Sequence, residues 1–132
     1  MGINKQRYKT WGDAMLQAFA DGDVEVLASK WAEDGSYTRI DPFGEHRTRQ
    51  GREAIYEAME EMFARTEQRH VLKNELLSAA DERGILNAWV KWKAEDSAEV
   101  ACNFIYVVAL DEDNRCISYQ EWNVVDSKDT NQ

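Results

Sequence analysis

Basic residues are scarce in this chain, with 16 lysines and arginines set against 25 aspartates and glutamates. The formal net charge of −9 at pH 7 repels a phosphate backbone over most of the surface, so no nucleic-acid partner is expected. Proline occurs once, and apolar and charged residues are both plentiful, which excludes a disordered or fibrous chain. Long apolar runs are also missing. No stretch approaches the roughly 18 to 20 residues that a membrane span needs, and no membrane partner is expected. The start, Met1 to Arg7, lacks the apolar core of a secretory signal, which points to the cytoplasm. Gly2 opens a myristoylation pattern, but the position that wants Ser or Thr holds Gln6. The two histidines, His46 and His70, have no cysteine or carboxylate cluster near them, so neither a metal site nor a cofactor is expected. Both fall near the ends of elements and read as surface residues.

What is present describes one domain over residues 1–132, with a core from about 5 to 125 and a polar tail. A chain of 132 residues can bury about two-thirds of its surface. Tyr8, Trp11, Met15, Ala18 and Phe19 recur at helical spacing and form the apolar stripe of a first helix. Gly22 suits its C-terminus, and Asp23 caps a short second helix whose inner face is Val24, Leu27, Ala28 and Trp31. Tyr37 to Ile40 reads as a short strand, stopped by the turn Asp41-Pro42-Phe43-Gly44. A third helix opens near Gly51, with Ile55, Ala58, Met59, Met62 and Phe63 inward and the acidic Glu57, Glu60 and Glu61 in water. Four strands follow near His70–Ala80, Ile85–Glu95, Val100–Leu110 and Arg115–Val125, separated by polar turns as in a meander of hairpins.

The last hairpin can be registered from its loop. If Asp111 to Asn114 is a four-residue loop, Tyr106 lies opposite Tyr119, Phe104 opposite Glu121 and Cys102 opposite Asn123. One face then holds Phe104, Tyr106, Tyr119 and Glu121, aromatics mixed with a few polar groups, as in a pocket wall. The other holds Asn103, Ile105, Val107 and Ala109 against Trp122, Gln120, Ser118 and Cys116. Because the strand from Ala101 to Leu110 is apolar on both faces, its outer face needs a cover, and a homodimer through that face is expected. The same register keeps Cys102 and Cys116 too far apart to bridge, so both are expected as free thiols. The five tryptophans, Trp11, Trp31, Trp89, Trp92 and Trp122, read as core or interface material. Trp89 and Trp92 differ in parity and fall on opposite faces, which leaves open which one lines a pocket.

The run Phe19-Ala20-Asp21-Gly22-Asp23, the segment Trp31 to Tyr37, the turn Asp41 to Gly44, Gly51 to Ile55 and the closing Ile117 to Trp122 resemble one known family. It is the SnoaL-like branch of the nuclear transport factor 2-like superfamily, and the resemblance covers about residues 5 to 125. It implies an α+β fold, a cone-shaped barrel of three helices packed on a curved antiparallel sheet, with a pocket between the two. The fold hosts isomerases, cyclases, dehydratases, epoxide hydrolases and non-catalytic binders, so it does not fix the activity. The pocket walls implied are Met15, Trp31, Tyr37, Phe43, Met59, Phe104 and Tyr119, and the ligand is a small lipophilic molecule. Asp41 resembles the general base of ketosteroid isomerases, an enzyme with an Asp base and an oxyanion hole of a tyrosine and a protonated aspartate. Met15 stands where that tyrosine would be placed, and Tyr106 near the second aspartate. Asp41, Tyr106 and Glu121 are thus the expected catalytic residues, for cofactor-free proton transfer of isomerase, cyclase or dehydratase type. Asp41 also reads as an ordinary turn starter, and Glu121 as half of an ion pair with a basic residue. A non-catalytic ligand-binding or dimerisation module is the alternative.

Overall fold

The computed structural model describes residues 5–40 and 43–128, with side chains to Asn123. Asp41 and Pro42 therefore lie outside the described residues. The elements run α1 (Gln6–Asp21), α2 (Val24–Ser29), β1 (Trp31–Ile40), β2 (His46–Gln50), α3 (Arg52–Ala64), β3 (Thr66–Ala79), β4 (Gly84–Ala94), β5 (Glu99–Leu110) and β6 (Cys116–Lys128). This is the expected α+β architecture, with three helices over one curved sheet of order β2-β1-β6-β5-β4-β3. The sheet is mixed rather than wholly antiparallel, because β1 runs parallel to β6 while every other pair is antiparallel. Among the described residues no helix is long and apolar enough to cross a membrane.

The local signals explain most of the boundaries. Gly22 ends α1 in the left-handed conformation at φ 70°, and the Asp23 N–H donates back to the Ala18 carbonyl at 3.1 Å. The Asp23 carboxylate then accepts from the Val26 N–H and starts α2. Trp31 departs from its expected place on α2. It opens β1, since the Cys116 N–H donates to the Lys30 carbonyl and Trp31 pairs with Cys116. The edge strand β2 was not expected at all. Its five residues are all exposed and carry no apolar alternation to betray a strand.

The last hairpin keeps the predicted faces and shifts the predicted partners by two. Tyr106 pairs with Glu121 and Phe104 with Asn123. Asp111 extends the loop by one residue, since its N–H donates to the Arg115 carbonyl and its carboxylate accepts from the Asp113 and Arg115 N–H groups. A bulge at Ile117 then adds one more. Two single-residue slips restore parity, so Phe104, Tyr106, Tyr119 and Glu121 still share the concave face. Cys116 alone changes sides: it is fully buried in the core and pairs with Leu110 instead of lying outside against Ala109. Both cysteines are free, as expected.

The core lies between α1 and the concave face, built on Tyr8, Trp11, Leu16, Leu27, Trp31, Leu86 and Val108. Gly84 opens β4 directly beneath the Tyr8 ring, and an added Cβ would sit 2.5 Å from its Cγ. Tyr8 cannot withdraw easily, because its hydroxyl donates to the Asp81 carbonyl at 3.0 Å. Gly84→Ala should therefore overpack this corner and cost about 1–3 kcal/mol. A urea midpoint that falls at unchanged slope is the expected reading.

Candidate active site

A cavity of about 340 Å³ opens between the three helices and the concave face. Met15, Leu16 and Phe19 of α1 form its roof, with Leu27 of α2 and Ala58, Met59 and Met62 of α3. The opposite wall is Val90, Trp92, Cys102 and Phe104 from β4 and β5, while Trp31, Tyr37 and Tyr119 close one end. Trp92 is thus the tryptophan that faces the pocket, packed edge-on against Phe19 at 6.4 Å. Trp89 stands on the other face under the Lys73 ammonium.

Glu121 and Asn123 are the buried polar residues in this apolar enclosure, 8% and 5% exposed. They are two apart on β6 and point to the same side. The Tyr119 hydroxyl donates to Glu121 Oε1 at 2.6 Å, and Arg39 Nε stands 4.0 Å from Oε2. Tyr37 stacks flat on Tyr119 at 5.0 Å and turns its phenol toward the same carboxylate. Burial, and then the Glu121 charge, hold both phenols well above their ordinary pKa. Each is therefore held protonated, as a hydrogen-bond donor, beyond the pH at which an ordinary tyrosine ionises. The Asn123 Nδ2 has no partner among the described residues, while its Oδ1 lies 3.7 Å from the Cys102 thiol. An unpaired buried donor is costly.

The expected site residues divide into three groups. Met15, Trp31, Tyr37, Met59, Phe104, Tyr119 and Glu121 meet at the cavity as read from the sequence. Phe43 does not, being 94% exposed and absent from the lining. It lies in the connection beyond the end of β1, where the chain leaves the sheet. Tyr106 is fully buried on the concave face, but its hydroxyl passes under α1 beside Gly12 and donates to Asn74 Oδ1 at 2.7 Å. Asn74 in turn donates to Asp13, so this phenol serves the α1–β3 junction and not the cavity.

A model of the SnoaL-like domain matches residues 13–119. The chain belongs to the SnoaL-like family. A comparison with curated protein sequences finds no match. Among solved structures, a candidate isomerase from Bacillus subtilis superposes with a TM-score of 0.80 at 14% identity, over 92% of this chain and 90% of that one. The epoxide hydrolase/cyclase-like enzyme SalBIII of salinomycin pyran-ring formation reaches 0.74 at 18% identity, over 92% and 93%. An NTF2-like protein of unknown function from Burkholderia pseudomallei gives 0.72 at 15%, over 91% of each chain. At such identities the likeness establishes the nuclear transport factor 2-like fold and leaves the chemistry to the residues of the site.

Several residues of this SnoaL-like cavity were not read from the sequence as pocket residues: Asn123 and the arginines Arg39, Arg47, Arg49 and Arg65. The alternation Arg47-Thr48-Arg49 was the one available signal, since period two puts both guanidiniums on one face of a strand. The buried tyrosines offer a direct check of the site. Tyr37, Tyr106 and Tyr119 are all raised above the usual phenol range, chiefly by burial. A folded pKa above the unfolded value of about 10 gives stability that is complete below pH 10 and lost as pH rises through the folded pKa. In an alkaline titration, the phenolate absorbance of these three should appear together with loss of the circular-dichroism signal, and not before it.

Proposed function

We propose that this SnoaL-like chain is a cofactor-free proton-transfer enzyme of isomerase, cyclase or dehydratase type that acts on a lipophilic carbonyl compound. The observation that carries this reading is Glu121, a buried carboxylate facing an apolar cavity beside the unpaired Asn123 amide. Oε1 accepts from Tyr119, and in this reading Oε2, 4.0 Å from Arg39 Nε, accepts a proton from the carbon next to a carbonyl. The C–H electron pair moves into the new C–C double bond, and the carbonyl pair moves onto oxygen. In this reading Asn123, a lining residue whose Nδ2 is unpaired, turns its N–H to donate to that enolate oxygen. Return of the proton to a different carbon completes an isomerisation, while attack by the enolate on a second carbonyl, whose oxygen then takes the proton back from Glu121, completes a cyclisation.

Asp41, the base implied by the family resemblance, enters this proposal as the competing carboxylate. A second reading, a pocket that binds without catalysis, is favoured by the Tyr119 hydrogen bond, which already occupies one carboxylate oxygen. The deciding measurement is deuterium uptake from D2O at the α-carbon of a panel of lipophilic ketones, followed by NMR. Uptake above the buffer rate supports the enzyme, and ligand binding without uptake supports the module.

The convex face bears on assembly. Ile105 pairs with Trp122 there, Ile85 lies one strand away, and Ile117 stands at the bulge, all exposed. A second copy covering this face is the proposed arrangement. Light scattering at micromolar concentration should give twice the chain mass, with Ile105→Lys returning it to monomer.

A further inference from the structure

Charge around the cavity is distributed against the trend of the chain. The protein carries a net charge of −9, yet four arginines, Arg39, Arg47, Arg49 and Arg65, line the cavity against two glutamates, Glu61 and Glu121. Three of them come from one hairpin. Arg39 and Arg47 are direct cross-strand partners, and Arg49 is the partner of Tyr37, so all three guanidiniums rise from the concave face. Like charges set opposite each other weaken a strand pair, so the fold by itself gains nothing from this placement.

Local carboxylates satisfy the cluster only in part. Glu45 lies 3.2 Å from Arg47 Nε and Glu95 lies 3.8 Å from Arg65 Nε, both exposed pairs. Such pairs are worth little and exchange readily with another anion. Arg39 is shared with Glu121 at 4.0 Å. The Arg49 guanidinium has no hydrogen-bond or ion-pair partner among the described residues. Glu57 and Glu60 lie outside the cavity lining, in an adjoining groove that Arg49 and Glu61 also line.

We propose that the ligand of this cavity is an amphipathic acid whose apolar body fills the enclosure and whose anionic head is held at the opening by Arg39, Arg47 and Arg49, with Arg65 across from them. The inference rests on the cavity being the ligand site named above. Guanidiniums suit a carboxylate or a phosphate monoester because two parallel N–H groups meet two oxygens. A head held there also sets how deep the body enters, which places a chosen carbon beside Glu121.

The test uses four probes of equal chain length, decanoate, decyl phosphate, 1-decanol and decylamine, with affinity read from quenching of the tryptophans that line the cavity. Decanoate or decyl phosphate should bind about tenfold or more tighter than 1-decanol, and decylamine weakest of all. Whichever of the two acids is tighter identifies the head. The preference should shrink in 0.5 M salt and be lost in Arg47→Gln/Arg49→Gln, with 1-decanol binding kept as evidence of an intact pocket. Equal affinity for acid and alcohol, or a preference for the amine, would overturn the proposal. Head preference without deuterium uptake keeps this inference and removes the enzymatic reading, whereas uptake by neutral ketones without head preference does the opposite.

Discussion

Glu121→Gln is expected to reduce deuterium uptake into a competent substrate by roughly 100-fold or more, because it removes the proton acceptor and keeps the shape. The amide oxygen can still accept from the Tyr119 hydroxyl, so the hydrogen bond that positions the side chain survives. What disappears is the negative charge facing Arg39 and the basic lone pair. The loss should therefore fall on turnover, with affinity for an acidic ligand equal or improved, since a like charge has left the cavity. Folding should change little, because a buried charge and its incomplete pairing are lost together. Asp41→Asn belongs in the same experiment. If it alone slows uptake while Glu121→Gln runs at the native rate, Asp41 is the base and Glu121 is the structural partner of Tyr119.

Trp31→Ala should cause the largest loss of stability, about 3–5 kcal/mol, a substantial share of the roughly 5–15 kcal/mol typical of a domain. Trp31 is fully buried and packs against Trp11 at 5.3 Å, Tyr119 at 5.5 Å and Tyr37 at 5.9 Å. Its indole N–H donates to the Ser36 carbonyl, and removal leaves that acceptor to find another donor. Gly35 permits this packing by letting β1 pass close to β6, where an added Cβ would stand 2.5 Å from the Cys116 carbonyl oxygen. Denaturant unfolding should show the loss directly. The variant's cavity would also deepen at its closed end, so bulkier hydrocarbon tails should gain affinity relative to the native protein. Trp31→Phe should retain most of the stability, which separates lost packing from the lost hydrogen bond.

The sequence by itself determined the elements that rest on local physics. The stripes of α1 and α3, the glycine that ends α1 and the aspartate that caps α2 depend on neighbours within about one turn, so spacing alone reveals them. Parity along β5 and β6 was equally legible, because side chains alternate whatever the exact partner is. That alternation put Phe104, Tyr119 and Glu121 on one face of the sheet, and all three line the cavity.

Only the tertiary structure decided where functional groups end. The one-residue extension of the loop, held by hydrogen bonds of Asp111, moved Cys116 inward, and the bulge at Ile117 added the second slip that sets Glu121 beside Tyr106. Whether a buried tyrosine serves a cavity or a junction depends on what lies at the far end of its ring. For Tyr106 that is Asn74, 32 positions away, and for Tyr119 it is Glu121. The arginine cluster arises because an exposed edge strand without apolar residues folds back on β1, and without apolar alternation only the Arg47-Thr48-Arg49 repeat marks that strand. Sequence periodicity reports which side of an element is buried. Which buried groups meet is set by register and by packing between elements distant along the chain, and that distance is why the cavity's chemistry became visible only in the folded molecule.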